Sequence, residues 1–200
     1  MRSFRRWHQE RRCRITSSNA HRVWTRTVNE EGLVQALLNS RRFSNAATKY
    51  GSSTEAEARL SFASRHHAPV YETGVMISIC QPWLCGSPDA IIWKGGEPLL
   101  LEIKCPFSRA GKELYWEETQ STSVPYLEFR DTKLCLKQRH TYYTQVQLLM
   151  YIAGVQKAHF YVYTTKQQAD ILVQRDEQFL CEAVPKLEKF YFEHYLQRLT

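Results

Sequence analysis

Apolar and polar positions change period twice along this chain. The first third repeats at helical spacing. Ser17 or Ser18 can cap a short helix through Trp24, and a second helix is expected over residues 29–38. Residues 54–62, rich in alanine and leucine, predict a helix with Ala58 and Phe62 on one buried stripe. The middle then adopts a period of two. Residues 75–80 and 90–93 read as strands, Gly95-Gly96 reverses the chain, and residues 99–104 form a third strand. The run Leu99-Leu100-Leu101 marks that strand as central. Pro106 ends its ladder because it has no N–H to donate.

Residues 107–137 mix aromatic and charged side chains without a clear period, and predict an irregular or partly helical insertion. After it, residues 140–151 read as a helix, with Tyr142, Val146, Leu149, Met150 and Ala153 spanning an apolar face. Strands are expected over 159–164 and 170–173. A terminal helix over 178–199 is expected to be interrupted near Pro185. Helices on either side of a mixed central sheet predict a single α/β domain over residues 1–200, a three-layer α/β/α arrangement.

With 200 residues, 43% of them hydrophobic, the chain can bury one substantial core. No run approaches the roughly 18 apolar residues of a membrane span. The first residues are arginine-rich rather than apolar, so an intracellular protein is expected, with cytoplasm and nucleus not distinguished. Charge is placed unevenly. Residues 1–26 hold eight arginines and one glutamate, so the net +7 of the chain is carried by this segment. Such a segment is either a phosphate-contacting arm or a solvated terminus. The six cysteines contain no CxxC pair, and Cys181 stands alone near the C-terminus. Neither a structural zinc nor an iron–sulfur cluster is expected from them.

One pair of segments suggests chemistry. In a strand, Glu102 and Lys104 point to one face while Ile103 enters the core. Asp89 follows Pro88 and opens the preceding strand, and the glycine turn can return Glu102 beside it. Two carboxylates supply the hard oxygen ligands that Mg²⁺ prefers, with the Ile103 carbonyl as a further ligand. Lys104 can orient or deprotonate a water and shield a phosphoryl oxygen. The ExK spacing is common by chance, and Asp89 alone reads equally well as a turn residue.

Four ordered blocks make the case more specific. They are Trp7-His8-x-x-Arg11 with residues 14–18 (RITSS), Gly51-x-x-x-Glu55-x-x-Ala58-Arg59, Ser87-Pro88-Asp89 with residues 101–106 (LEIKCP), and residues 142–151 (YYTQVQLLMY). Together they resemble the lambda exonuclease and YqaJ-type viral recombinase family of the PD-(D/E)xK nuclease superfamily. The resemblance implies a restriction-endonuclease-like fold. It adds Glu55, otherwise a solvated helix residue, to Asp89, Glu102 and Ile103 as metal ligands, and places Lys104 and Gln145 at the reaction centre. Arg11 resembles the arginine that receives a terminal 5′-phosphate. Thr16, Ser18, Tyr142 and the added basic Arg14 join it as expected substrate contacts, whereas Gln147 reads better as packing. Cys13, Ser17 and Ala90 depart from the usual residues of these blocks without removing a ligand.

The activity so implied is Mg²⁺-dependent 5′-to-3′ digestion of double-stranded DNA ends, with Mn²⁺ able to substitute and two ions expected. The partners implied are a 5′-phosphorylated duplex, two further copies in a homotrimer, and a single-strand annealing protein. Residues 107–137 would lie near the substrate entrance. A related endonuclease and a non-catalytic DNA-binding module are the alternatives.

Overall fold

The computed structural model describes residues 2–39 and 45–199. Met1, at the head of the basic segment, and Thr200, the end of the expected domain, lie outside the described residues. The helices are α1 (Arg2–Arg12), α2 (Ala20–Trp24), α3 (Glu30–Leu38), α4 (Ala46–His66), α5 (Thr141–Ala153) and α6 (Glu177–Phe190). The strands are β1 (Ile15–Thr16), β2 (Val70–Glu72), β3 (Met76–Ile77), β4 (Leu84–Gly86), β5 (Ala90–Lys94), β6 (Glu97–Lys104), β7 (Tyr115–Trp116), β8 (Ser121–Thr122), β9 (Leu127–Arg130), β10 (Lys133–Leu136), β11 (Lys157–Tyr163) and β12 (Gln168–Gln174).

The central sheet has the order β12-β11-β6-β5-β2. Only the β6–β11 pair is parallel, so the sheet is mixed, and α5 lies in the crossover between those two strands. One face packs on α4 through Ala58 and Phe62, which meet Leu99, Leu101, Ile103 and Tyr161. On the other face Leu100 and Phe160 meet Val146, Leu149 and Met150 of α5. α5 is buried on nearly every side, because a further cluster packs α2, α3 and α6 against Leu148 and Ile152. A mixed sheet flanked by helices is the restriction-endonuclease-like architecture expected from the sequence.

Local chemistry explains where the elements begin and turn. α4 opens with a capping box, in which the Asn45 side chain accepts from the Thr48 amide and the Thr48 hydroxyl accepts from the Asn45 amide. This cap starts the helix earlier than the apolar stripe suggests. Gly95 and Gly96 both have positive φ, 61° and 82°, the requirement of a two-residue type I′ hairpin loop. That tight loop sets the β5–β6 register, with Lys94 opposite Glu97 and Ala90 opposite Leu101.

Three expectations are corrected. The strand over 75–80 shortens to Met76–Ile77. The Ser78 amide then donates to the Leu84 carbonyl in a turn, and Ile79 projects fully into solvent. Residues 107–137, irregular over much of their length, carry two small antiparallel pairs, β7–β8 and β9–β10, and one short 3₁₀ turn where partly helical structure was expected. The C-terminal helix runs through Pro185 to Phe190. Burial of Leu180, Ala183, Val184, Leu187 and Phe190 offsets the roughly 3 kcal/mol cost of an internal proline. No helix among the described residues is long and apolar enough to cross a membrane.

Candidate active site

Extending the β5–β6 register by one pair puts Asp89 opposite Glu102. Asp89 Oδ2 accepts the Ile103 amide at 2.6 Å, which ties the carboxylate to the last turns of the ladder. Strand alternation sends Ile103 into the α4-side core and Glu102 and Lys104 toward α5. There Lys104 Nζ donates to Glu102 Oε1 at 2.5 Å and Gln145 Nε2 donates to the same oxygen at 2.6 Å. Glu102 is only 2% exposed, and its second oxygen, Oε2, is buried without a hydrogen-bond partner. The Lys104 ammonium also lies 4.6 Å from the centre of the Tyr142 ring.

Glu55 approaches from α4. It shares with Ile103, Lys104, Tyr126 and Tyr142 the lining of a cavity of about 210 Å³. Its carboxylate is engaged at 2.6 Å by Arg59, one helical turn on, and Arg59 also reaches Glu72 of β2 at 2.6 Å. Thus each of the three acidic groups is held by a protein donor: Glu55 by Arg59, Asp89 by a backbone amide, Glu102 by Lys104 and Gln145.

The electrostatics follow from this crowding. Burial pushes Asp89 up to about 7, Glu102 pushes in the same direction, and Lys104 pulls back. Glu55 is raised by burial and by Asp89, with Arg59 opposing. Burial acts against the Lys104 charge, but Glu102 and Asp89 outweigh it and hold the ammonium above its ordinary value. Cys105, beside this group, is pushed up to about 12 by burial and by the carboxylates, which leaves it an inert thiol.

A second group joins the N-terminal block to this centre. β1 pairs in parallel with β4, which brings Ser18 near Ser87, two residues before Asp89. Arg11 donates to Ser87 Oγ at 3.3 Å and to Ser18 Oγ at 3.1 Å, and its guanidinium stacks 4.4 Å from the Trp7 ring. Trp7 Nε1 donates to Ser87 at 3.2 Å, and the Thr16 and Ser18 hydroxyls are 3.1 Å apart. Arg14 is placed differently: it is spent on the Pro82 carbonyl at 2.7 Å and Glu10 at 2.6 Å. Gln147 is fully buried, donating to Gln174 O and accepting from the Asp176 amide.

Sequence reasoning missed the roles of Trp7, Ser87 and Arg59. It also missed a cluster on the opposite, α4 side of the sheet. There His66, His159 and Asp170 place ligand atoms within 4.8 Å of one another, a set that can hold a divalent cation. Its members stand at unrelated spacings, so no motif announces it; the β11–β12 register and the end of α4 bring them together.

The description of a YqaJ-like viral recombinase domain matches residues 6–156. Comparison with curated proteins finds no match. Among solved structures, an alkaline exonuclease from Laribacter hongkongensis is 22% identical with a TM-score of 0.70, over 94% of this chain and 91% of that one. A phage-related exonuclease from Haemophilus somnus 129PT is 14% identical with a TM-score of 0.62, over 89% and 93%. The shutoff and exonuclease protein of Kaposi's sarcoma-associated herpesvirus is 12% identical with a TM-score of 0.59, over 90% and 66%. At these identities the likeness is one of fold.

Proposed function

Since this chain belongs to the family of YqaJ-like viral recombinase domains, we propose that it is a Mg²⁺-dependent exodeoxyribonuclease that digests the 5′-ended strand at double-stranded DNA ends. Its product would be a 3′ single-stranded tail for recombination or repair. The observation that carries this reading is the buried, unpartnered Glu102 Oε2, together with the Asp89 carboxyl that burial and Glu102 raise. Two buried carboxylates that repel each other, one with an orphaned oxygen, fit a hard cation. Asp89, Glu102, Glu55 and the Ile103 carbonyl are the groups that would hold Mg²⁺, or Mn²⁺ in its place, as a pair of ions. When bound, the metal acidifies a water and neutralises phosphoryl charge.

The chain's own residues supply the rest. Lys104, whose ammonium Glu102 and Asp89 favour, presents a positive charge and hydrogen-bond donor toward a nonbridging phosphate oxygen. Gln145 fixes Glu102 Oε1, so that Oε2 is the oxygen presented. Tyr142 supports the Lys104 ammonium from its ring face. Arg11, oriented by Trp7, Ser18 and Ser87, presents a forked guanidinium to a terminal 5′-phosphate. Thr16 and Ser18 add hydroxyls beside it. The basic N-terminal segment extends the positive field, and the hairpins of residues 107–137 would border the DNA path. A homotrimer around the duplex, and a single-strand annealing protein that receives the tail, complete the reading.

Timed Mg²⁺ digestion of duplexes labelled separately at each 5′ and 3′ end tests it. Early release of the 5′ label with a surviving 3′ tail is expected; rapid cutting of closed circular DNA would instead identify an endonuclease. Light scattering of the purified chain should give a mass three times that of one chain. The Arg11 role has its own readout. Arg11→Ala is expected to reduce the preference for a 5′-phosphate over a 5′-hydroxyl end by roughly tenfold, the loss of a charge-assisted pair. Its Mg²⁺ dependence should stay unchanged, and an undiminished phosphate preference would refute the assignment.

A further inference from the structure

The geometry points to a second metal site in this chain, formed by His66, His159 and Asp170, that takes a transition ion of the zinc class and pins the end of α4 to the β11–β12 hairpin. Asp170 offers one carboxylate oxygen to each ring: Oδ2 lies 2.7 Å from His66 Nε2 and Oδ1 lies 2.7 Å from His159 Nδ1. Two imidazoles and one carboxylate form a common three-ligand zinc set that leaves a fourth position open. His66 and Asp170 are partly exposed, at 18% and 15% of their side-chain surface, so water can reach that position. Phe62 walls the site, stacked on His66 at 4.1 Å and edge-on to His159 at 5.1 Å.

Ligand chemistry separates this site from the one at Glu102. Nitrogen donors suit zinc, cobalt, nickel and copper, whereas Mg²⁺ prefers oxygen. Position separates them too, because Glu102 faces α5 while His159 packs on Phe62 of α4. Glu55 and His66 stand eleven residues apart on α4, about 16 Å of helix.

The second ring nitrogen of His159 is buried and has no partner, so Asp170 alone orients this ring. An ion would replace the two ring protons now shared with Asp170, and each proton would pass to the far nitrogen of its own ring. The site then carries the ion, one carboxylate and two neutral imidazoles, with no net proton release. Two features oppose the ion: the Lys94 charge acts on His66, and the transferred proton on His159 would lack an acceptor. The three metal–ligand bonds have to outweigh both.

Metal content after dialysis against Zn²⁺ and gel filtration tests this without recourse to nuclease activity. Wild-type protein and Asp89→Asn should each retain about one zinc per chain. His66→Ala and His159→Ala should bind it more weakly by over about a hundredfold, beyond what loss of an outer-shell partner causes. Zn²⁺ should raise the melting temperature of wild type and not of the histidine variants. Co²⁺ substitution guards against variants that fail to fold, and against binding to the exposed Cys80 and Cys181. Visible d–d bands without thiolate charge transfer are expected from wild type. No retained zinc in wild type, zinc retained by both folded histidine variants, or a thiolate spectrum would each overturn the proposal.

Discussion

Glu102→Gln is expected to lower the single-turnover rate of DNA cleavage in saturating Mg²⁺ by about 10²–10³-fold, the usual scale for losing one preorganised charge-stabilising group. The substitution conserves volume. The amide oxygen can still accept from Lys104 and Gln145, whose donors now meet at Oε1. What disappears is the negative charge, and with it the buried oxygen Oε2 that has no protein partner. Lys104 keeps Asp89 as a counter-charge, so the far-ultraviolet circular dichroism and a cooperative melt should persist. A folded variant with more than about a tenth of the wild-type rate would remove Glu102 from the reaction centre.

The second large effect is on stability, and it depends on pH and metal together. Asp89 sits at about 7 in the folded chain against an ordinary 3.8, raised first by burial and then by Glu102. Across that interval the folded state therefore binds more protons at this group than the unfolded state. Stability from it is intact below 3.8 and is lost as pH rises toward about 7. In EDTA, the metal-free protein should thus melt lower at pH 8 than at pH 5 relative to Asp89→Asn. The difference corresponds to a few kcal/mol, or roughly 5 °C and more for a chain of this size. Mg²⁺ should restore wild type at pH 8, because a cation replaces the proton between the carboxylates, and should leave Asp89→Asn unmoved. A wild-type and variant pair whose melting temperatures run parallel from pH 5 to pH 8 would contradict this account.

Strong local signals were legible and weak ones were not. The Gly95-Gly96 loop and the apolar run before Glu102 identify the hairpin and its buried central strand, because a type I′ loop and two-sided burial leave few alternatives. Ala58 and Phe62 likewise mark the face of α4 that meets the sheet. The residue pattern misjudged short edge segments, where little burial disciplines the backbone. Ile79 looks like a strand residue and is 96% exposed. Pro185 looks like a break, yet the apolar stripe around it keeps the helix going. α1, dominated by arginine, offers only Phe4 and Trp7 as large apolar positions, too few to mark a helix by pattern alone.

For chemistry, the chain order of Glu102, Ile103 and Lys104 is enough to put a carboxylate and an ammonium on one side of a strand, since alternation is a property of the local backbone. Their resemblance to a family motif named Glu55, Arg11 and Gln145 in advance. Which donor each side chain meets was decided elsewhere. Arg59 on Glu55, Ser87 beneath Arg11 and the lone oxygen of Glu102 all depend on distant segments packed together. So does the His66, His159 and Asp170 cluster, assembled from a helix end and two strands. Local periodicity and turn chemistry specify elements and facing because they act over a few residues. Desolvation and pairing are set by neighbours far apart in sequence, and those exist only once the sheet and helices have closed.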